Sequence, residues 1–374
     1  MTLRILSALE SGWPEDANTD IAAPDLRCLE LCRELASGYH MLGQRDADGR
    51  SLQAYLLLDT WDDSPLAVAV SEAWPEAAAA RVAVPDEIYA GREGEAPCLV
   101  PLPSYALPDG GASSFAEVRA QEFLAGWLET AGKKIYQRLV KQHLCAVLFS
   151  RDSARTLAQH LAGLGFQYEP GGRTVRLFRY QDPRVMQRVW PALSGGQRVS
   201  WLGPVLAWWS LEQPWKPWGA DELIATEADI SLSELAWFKA EKSVAPGGEP
   251  TAPILLNRLL NAEQWRQAHW TPVGNQIWLR FAENGIPQQG QPDGSLMQQL
   301  LETGASLNLD GQNLEDYVWC SVRYREVPPS IDWRAPRWAR VLTQSLQALR
   351  SDPDTRFVSA FHACLNAGEE THDL

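Results

Sequence analysis

A chain of 374 residues that is 45% hydrophobic and 21% charged, with a mean hydropathy of −0.26, holds more apolar material than one core takes up and reads as two lobes. Its longest apolar runs, such as 144–149, fall far short of the roughly 18 residues a membrane-spanning helix needs, and residues 1–9 lack a cationic start before an unbroken apolar stretch. The expectation is a cytoplasmic protein with no membrane partner. The net charge of −14 is unevenly laid out, with 7 basic against 19 acidic residues over 1–114, 14 against 7 over 115–218, and 12 against 21 over 219–374. A basic middle between acidic ends fits neutralising contacts between segments, an anionic partner, or nucleic acid. Nucleic acid fits worst, because the whole chain is acidic and no Lys/Arg-rich run interleaved with aromatics marks a phosphate track.

In chain order, residues 1–50 match no pattern. Leu52 to Leu58 reads as a strand, 65–70 and 82–84 as short apolar segments, and 97–102 as a buried edge strand bounded by prolines. Glu117 to Gln142 carries a helical stripe through Leu124, Trp127, Leu128, Ala131, Ile135 and Leu139, with Gly126 and Gly132 as weak points. Leu144 to Phe149 is the next strand. Residues 150–153 should cap a helix with Leu157, Leu161 and Leu164 on one face, and Val175, Leu177 and Phe178 supply a further strand. Asp182-Pro183 then starts a helix: an N-cap Asp accepts a bond from the free amides of the first turn, and a Pro just inside loses no bond it could have made. Val185, Met186, Val189 and Trp190 would be its buried stripe, and Gly195-Gly196 the turn that ends it. After Trp218 the texture is helical, broken by Gly/Pro-rich linkers at 245–253, 284–294 and 327–336. The fold class expected is an α/β (α+β) lobe over 1–218, with a mixed sheet and flanking helices, and a mostly helical lobe over 219–374.

The near-motifs for chemistry do not close. Leu193-Ser-Gly-Gly-Gln197 spells the signature of ABC-type ATPases, but the nearest phosphate loop, Gly126 to Lys134, has one residue too many, lacks the metal-binding hydroxyl and lies inside a helical stripe. None of the six histidines (40, 143, 160, 269, 362, 372) has a ligand partner at metal-binding spacing, and Cys28 and Cys32, one helical turn apart, do not make a zinc site alone. The six cysteines are scattered, and no disulfide is expected. There is no Gly-x-Ser-x-Gly elbow; Ser113-Ser114 sits in a linker-like loop, and Asp62-Asp63 and Glu315-Asp316 read as solvated pairs. No catalytic residue, metal or cofactor is assigned, leaving a triad assembled from distant positions as the enzymatic alternative.

Tryptophan stands out: of 17, six (190, 201, 208, 209, 215 and 218) fall between residues 190 and 218. Such rings either fill the seam between lobes or stay exposed as anchors for a partner. Pro204, Pro214 and Pro217 stiffen the stretch, and Trp208, Trp209, Trp215 and Trp218 are the candidate partner-binding residues.

One run of motifs goes further. His160-Leu161, then Val175 to Val185 with Asp182-Pro183-Arg184, then Gly195-Gly196-Gln197, Gly203-Pro204 and Trp208 follow one another at set distances. Upstream lie Tyr55-Leu-Leu-Leu-Asp59 and Ala96-Pro-Cys-Leu-Val-Pro-Leu102; downstream, Asn261-Ala-Glu-Gln-Trp265 looks like a helix start. This order resembles the N-terminal lobe of type VI secretion adaptor chaperones, the Tap or TEC proteins, most strongly over residues 50–210. The resemblance implies a non-catalytic protein that holds a cognate toxin effector in the cytoplasm and delivers it to the VgrG spike. Gln181 departs from the family, which more commonly has an aromatic there. Lacking ATP chemistry, such a chaperone must release cargo by competition. An enzyme with a dispersed site and an immunity protein that blocks a toxin are the rival readings.

Overall fold

The computed structural model describes residues 24–44, 49–60, 64–135, 142–213, 232–242, 255–286, 290–325 and 330–369. Its strands are β1 (Gln53–Leu58), β2 (Val82–Ala83), β3 (Cys98–Pro101), β4 (Leu144–Ser150), β5 (Phe166–Tyr168), β6 (Val175–Leu177), β7 (Val205–Leu211) and β8 (Trp237–Glu241). Six of them form one sheet in the order β2-β3-β1-β4-β7-β8, paired antiparallel throughout, and β5 and β6 form a separate hairpin. The 97–102 segment is one strand in from the edge, because the two residues of β2 pair outside it. β8 lies beyond residue 218, where the sequence reading began the helical lobe, so the sheet of the first lobe runs on to Glu241.

The helices are α1 (Leu26–Gln44), α2 (Pro65–Ala73), α3 (Pro75–Ala79), α4 (Phe115–Ile135), α5 (Ala154–Gly165), α6 (Pro183–Val189), α7 (Gly195–Leu202), α8 (Ala262–Glu283), α9 (Gly294–Ser306), α10 (Gly311–Arg323), α11 (Pro336–Ser351) and α12 (Phe357–Glu369). Helices cover both faces of the sheet, which is why β4 reads as an unbroken apolar run: all seven of its residues are buried. Alternate residues go to opposite faces. Ala54, Leu56, Leu58, Val147, Phe149, Ala207 and Trp209 share one core with Leu31 and Leu35 of α1 and Leu124 and Leu128 of α4. Tyr55, Leu57, Leu148 and Trp208 share the other with Leu157 and Leu161 of α5, Met186 and Val189 of α6 and Trp201 of α7. The helix α1 comes from the stretch that matched no pattern, and it packs closely: a Cβ on Gly38 would stand 2.4 Å from the Trp209 ring.

The 65–70 segment is helical, capped by Ser64, whose side chain accepts from the Ala67 amide. Leu139, at the end of the stripe predicted along α4, lies outside the described residues. Gly195-Gly196 opens α7 instead of ending the helix before it. The reason is a capping box: Ser194 accepts from the Gln197 amide while the Gln197 side chain reaches back to the Ser194 amide. The linkers expected at 284–294 and 327–336 fall between α8 and α9 and between α10 and α11, and that at 245–253 lies outside the described residues.

The second lobe is helical, as the sequence predicts, with Ile277, Trp278, Phe281, Met297, Leu301, Tyr317, Phe357 and Phe361 at its centre. Asp316 is fully buried there and not a solvated carboxylate: it accepts from Arg280 at 2.7 Å and from Arg356 at 2.7 and 3.0 Å, tying α8, α10 and the start of α12 together. Helix α8 belongs to both lobes, since Ala268 packs into the second-face core of the sheet and Ile277, Trp278 and Phe281 into the helical core.

Candidate partner-binding surface

The β5–β6 hairpin delivers the chain to the segment that carries the strongest motif. After β6 the Phe178 amide donates to the Gly165 carbonyl at 2.8 Å, and extended alternation buries Phe178 and Tyr180 while leaving Arg179 between them exposed. Arg179 reaches back to Asp59, donating from Nη2 to Oδ2 at 3.3 Å. Asp59 follows directly on β1, and its carbonyl lies 3.1 Å from Nδ1 of His143, at the entrance to β4. Two motifs about 120 residues apart in sequence therefore meet at one end of the sheet.

Asp182 caps α6 as expected. Its Oδ1 accepts from the Arg184 amide at 3.0 Å and from Arg184 Nε at 2.9 Å, and its Oδ2 accepts from Arg184 Nη2 at 2.7 Å. Burial pushes the Asp182 carboxyl up, but the charge and hydrogen bonds of Arg184, with the charge of Arg179, outweigh it and hold the group below the usual carboxylate range. One turn on, burial drags the Arg188 guanidinium down; Asp182 opposes that and Arg184 reinforces it. Gln187 fixes the helix to the end of β7, donating to Ser210 Oγ at 2.9 Å and to the Leu211 carbonyl at 2.7 Å while accepting from the Gln213 amide at 2.8 Å.

The same helix borders a cleft of about 480 Å³ between the lobes, lined by Gln187, Arg188, Pro191 and Ala192 on one side and by Gln267, Trp270 and Gln298 on the other. Arg173 and Arg176 in the β5–β6 hairpin and Arg179 just after it are exposed. Guanidiniums and side-chain amides of this kind bind carboxylates and peptide backbone. Among the described residues no group of three His, Cys, Asp or Glu is placed to hold a metal ion.

The tryptophans expected as partner anchors are placed differently. Trp208 and Trp209 are 1% and 2% exposed and point to opposite faces of the sheet, so each fills a core and neither is an exposed anchor; Trp215 and Trp218 lie outside the described residues. Trp190 and Trp201 are also buried, edge-to-face with one another. Four of the histidines face main-chain carbonyls: His40 that of Leu107, His143 that of Asp59, His160 that of Trp201 and His269 that of Trp265. His362 meets the Tyr324 hydroxyl, and His372 lies outside the described residues. All six cysteines are free thiols; Cys28 and Cys32 are buried in α1, and burial pushes the Cys28 thiol up to about 12. Ser113 and Ser114 cap α4, their amides donating to Glu117, and Asp62-Asp63 lies outside the described residues.

The contact that sequence reasoning missed lies beside the cleft. Gln197 and Gln264 hydrogen-bond each other, and each stands at the fourth position of a readable capping box, Ser194 to Gln197 and Asn261 to Gln264. The boxes were legible; their meeting was not.

A family model described as a domain of unknown function (DUF4123) matches residues 54–200, which run from β1 into α7. No curated protein and no solved structure matches the chain. No helix among the described residues is long and apolar enough to cross a membrane.

Proposed function

We propose that this chain is a type VI secretion adaptor that binds one cognate effector in the cytoplasm and loads it onto the VgrG spike, acting by binding and not by catalysis. The observation that carries the reading is the matched stretch 54–200, a domain associated with effector adaptors of that system. The residues that resemble the Tap or TEC proteins fall largely inside it, and Asp59 and Arg179 from two of their motifs meet as an ion pair. The exposed arginines at 173, 176 and 179 and the amide-lined cleft at the end of α6 add groups whose chemistry suits a protein partner. Release follows from competition: a spike that takes over part of the surface gripping the effector lowers the affinity for it, with no nucleotide consumed. Deleting the gene tests the reading in cells. Secretion of the effector is lost while the spike is still secreted; unchanged effector secretion contradicts the proposal.

A further inference from the structure

The six-stranded sheet ends on β8, and the hydrogen bonds at its two ends fix which way each backbone group points. The Glu212 amide donates to the Ala236 carbonyl at 2.9 Å and the Lys242 amide to the Leu206 carbonyl at 3.0 Å. With the register Ser210 to Phe238 and Trp208 to Ala240, residues 236, 238, 240 and 242 turn their backbone toward β7. Trp237, Lys239 and Glu241 must then aim their amides and carbonyls outward, and among the described residues those of Trp237 and Lys239 have no hydrogen-bond partner. An open edge of this kind is a template for one more strand. The opposite edge, β2, offers only two residues.

We infer that the added strand is β8 of a second copy of this chain, paired antiparallel about a two-fold axis at Phe238. Self-pairing must set outward-facing residues against outward-facing ones, which leaves the axis at Phe238, Lys239 or Ala240. An axis at Lys239 sets ammonium against ammonium, which is unfavourable. An axis at Ala240 brings methyl groups together at its centre and places Phe238 opposite Lys242; it also sets Lys239 against Glu241, but Lys239 already pairs with Glu34, and Glu241 already accepts from Trp209 Nε1, within their own chain. With the axis at Phe238, the open groups of Trp237 bond those of Lys239 in the other copy, and the reverse. The half-buried Phe238 ring meets its counterpart in the closer, non-hydrogen-bonded kind of pair, where aromatic contacts add most. No like charges face one another. An edge of five residues covers far less than the roughly 1,200–2,000 Å² of a stable interface, so the dimer is a weak one.

The inference is independent of the adaptor reading, and purified protein alone tests it. Sedimentation shows a dimer at about 100 µM that dissociates by about 1 µM, the range of weak association. Phe238→Glu, which sets two carboxylates on the axis, gives a monomer at both concentrations. Lys239→Pro does the same with β8 still paired to β7, because the lost amide is not part of that ladder. Under mild oxidant Phe238→Cys cross-links two copies, whereas Ala240→Cys does not. A wild-type monomer at the higher concentration overturns the inference. So does a dimer that survives folded Phe238→Glu, or cross-linking through position 240 in place of 238.

Discussion

Gln197 and Gln264 hydrogen-bond each other's side-chain amides, Nε2 to Oε1, at 2.7 and 3.0 Å, while each also closes the N-terminus of its own helix. Gln197 Oε1 accepts from the Ser194 amide at 2.8 Å and Gln264 Oε1 from the Asn261 amide at 3.0 Å. The second proton of each amide goes across the boundary, from Gln197 to the Leu259 carbonyl and from Gln264 to the Ala192 carbonyl, both at 2.7 Å. Both side chains are buried, and every one of their polar atoms has a partner. A satisfied buried network of this kind fixes one arrangement, here that of the sheet lobe against the helix that leads into the second lobe.

Replacing Gln264 with Leu strands the Gln197 amide and costs about 1–3 kcal/mol, the penalty for an unsatisfied buried polar group. The double variant Gln197→Leu/Gln264→Leu loses less than the two single losses added together. Denaturant titration of the four proteins measures the coupling; strict additivity contradicts the network.

Asp182 separates capping from ion pairing. Asp182→Asn keeps a good cap but leaves the largely buried Arg184 without its counter-charge, a loss of about 3 kcal/mol or more; a cap acting alone would cost Asn almost nothing. Because the folded pKa of Asp182 is depressed, its contribution is fully present above the unfolded value of about 3.9 and disappears as pH falls through the folded one. A stability profile between neutral pH and acid shows this loss in wild type and not in Asp182→Asn.

His160 gives a second pH dependence with a different onset. Burial, reinforced by nearby Lys242 and partly opposed by the bond to the Trp201 carbonyl, holds its pKa below the ordinary value. The unfolded chain then takes up the proton first, so stability is full above about pH 6.5 and falls as pH drops below it. His160→Gln removes that step. Capture of a partner at neutral pH is unchanged in folded His160→Ala and His143→Ala, since neither imidazole is assigned chemistry; a selective loss of capture in a protein of normal stability would contradict this.

Trp209 and Gly38 form a tight contact that predicts an asymmetric result. Trp209→Ala empties part of the first-face core and costs about 3–5 kcal/mol, whereas Gly38→Ala drives a methyl into the ring and costs about 1–3 kcal/mol. Trp208→Ala destabilises in the same way as Trp209→Ala. Thermal melts distinguish this from the loss of an exposed anchor, which would leave the melting temperature in place.

Local chemistry was legible where the signal is local. Asp182-Pro183 starts a helix, Leu157, Leu161 and Leu164 share a buried face, and 144–149 is a strand, because caps, periodicity and unbroken apolar runs are set by neighbours in sequence. What was hidden depends on residues far apart. β8, a five-residue strand with a charged outer side, shows itself only by pairing with β7, so the sheet appeared to stop too early. Trp208 and Trp209 were candidate anchors because Trp is frequent at partner contacts and prolines stiffen the stretch, but a sheet covered on both sides hides one on each face. Gly195-Gly196 was read as a stop, though the Ser194 and Gln197 around it carry the signature of a start. The candidate surface was the least legible part: the arginines are visible in the sequence, but the meeting of Arg179 with Asp59 and the cleft at the end of α6 exist only in the fold.

The most direct test of the adaptor claim is capture from a native lysate of the producing cells, with the purified wild-type chain as bait and mass spectrometry as the readout. The account predicts one cognate type VI effector and the VgrG spike among the captured proteins, with added spike lowering the amount of effector retained. Capture of neither by the folded bait would contradict it.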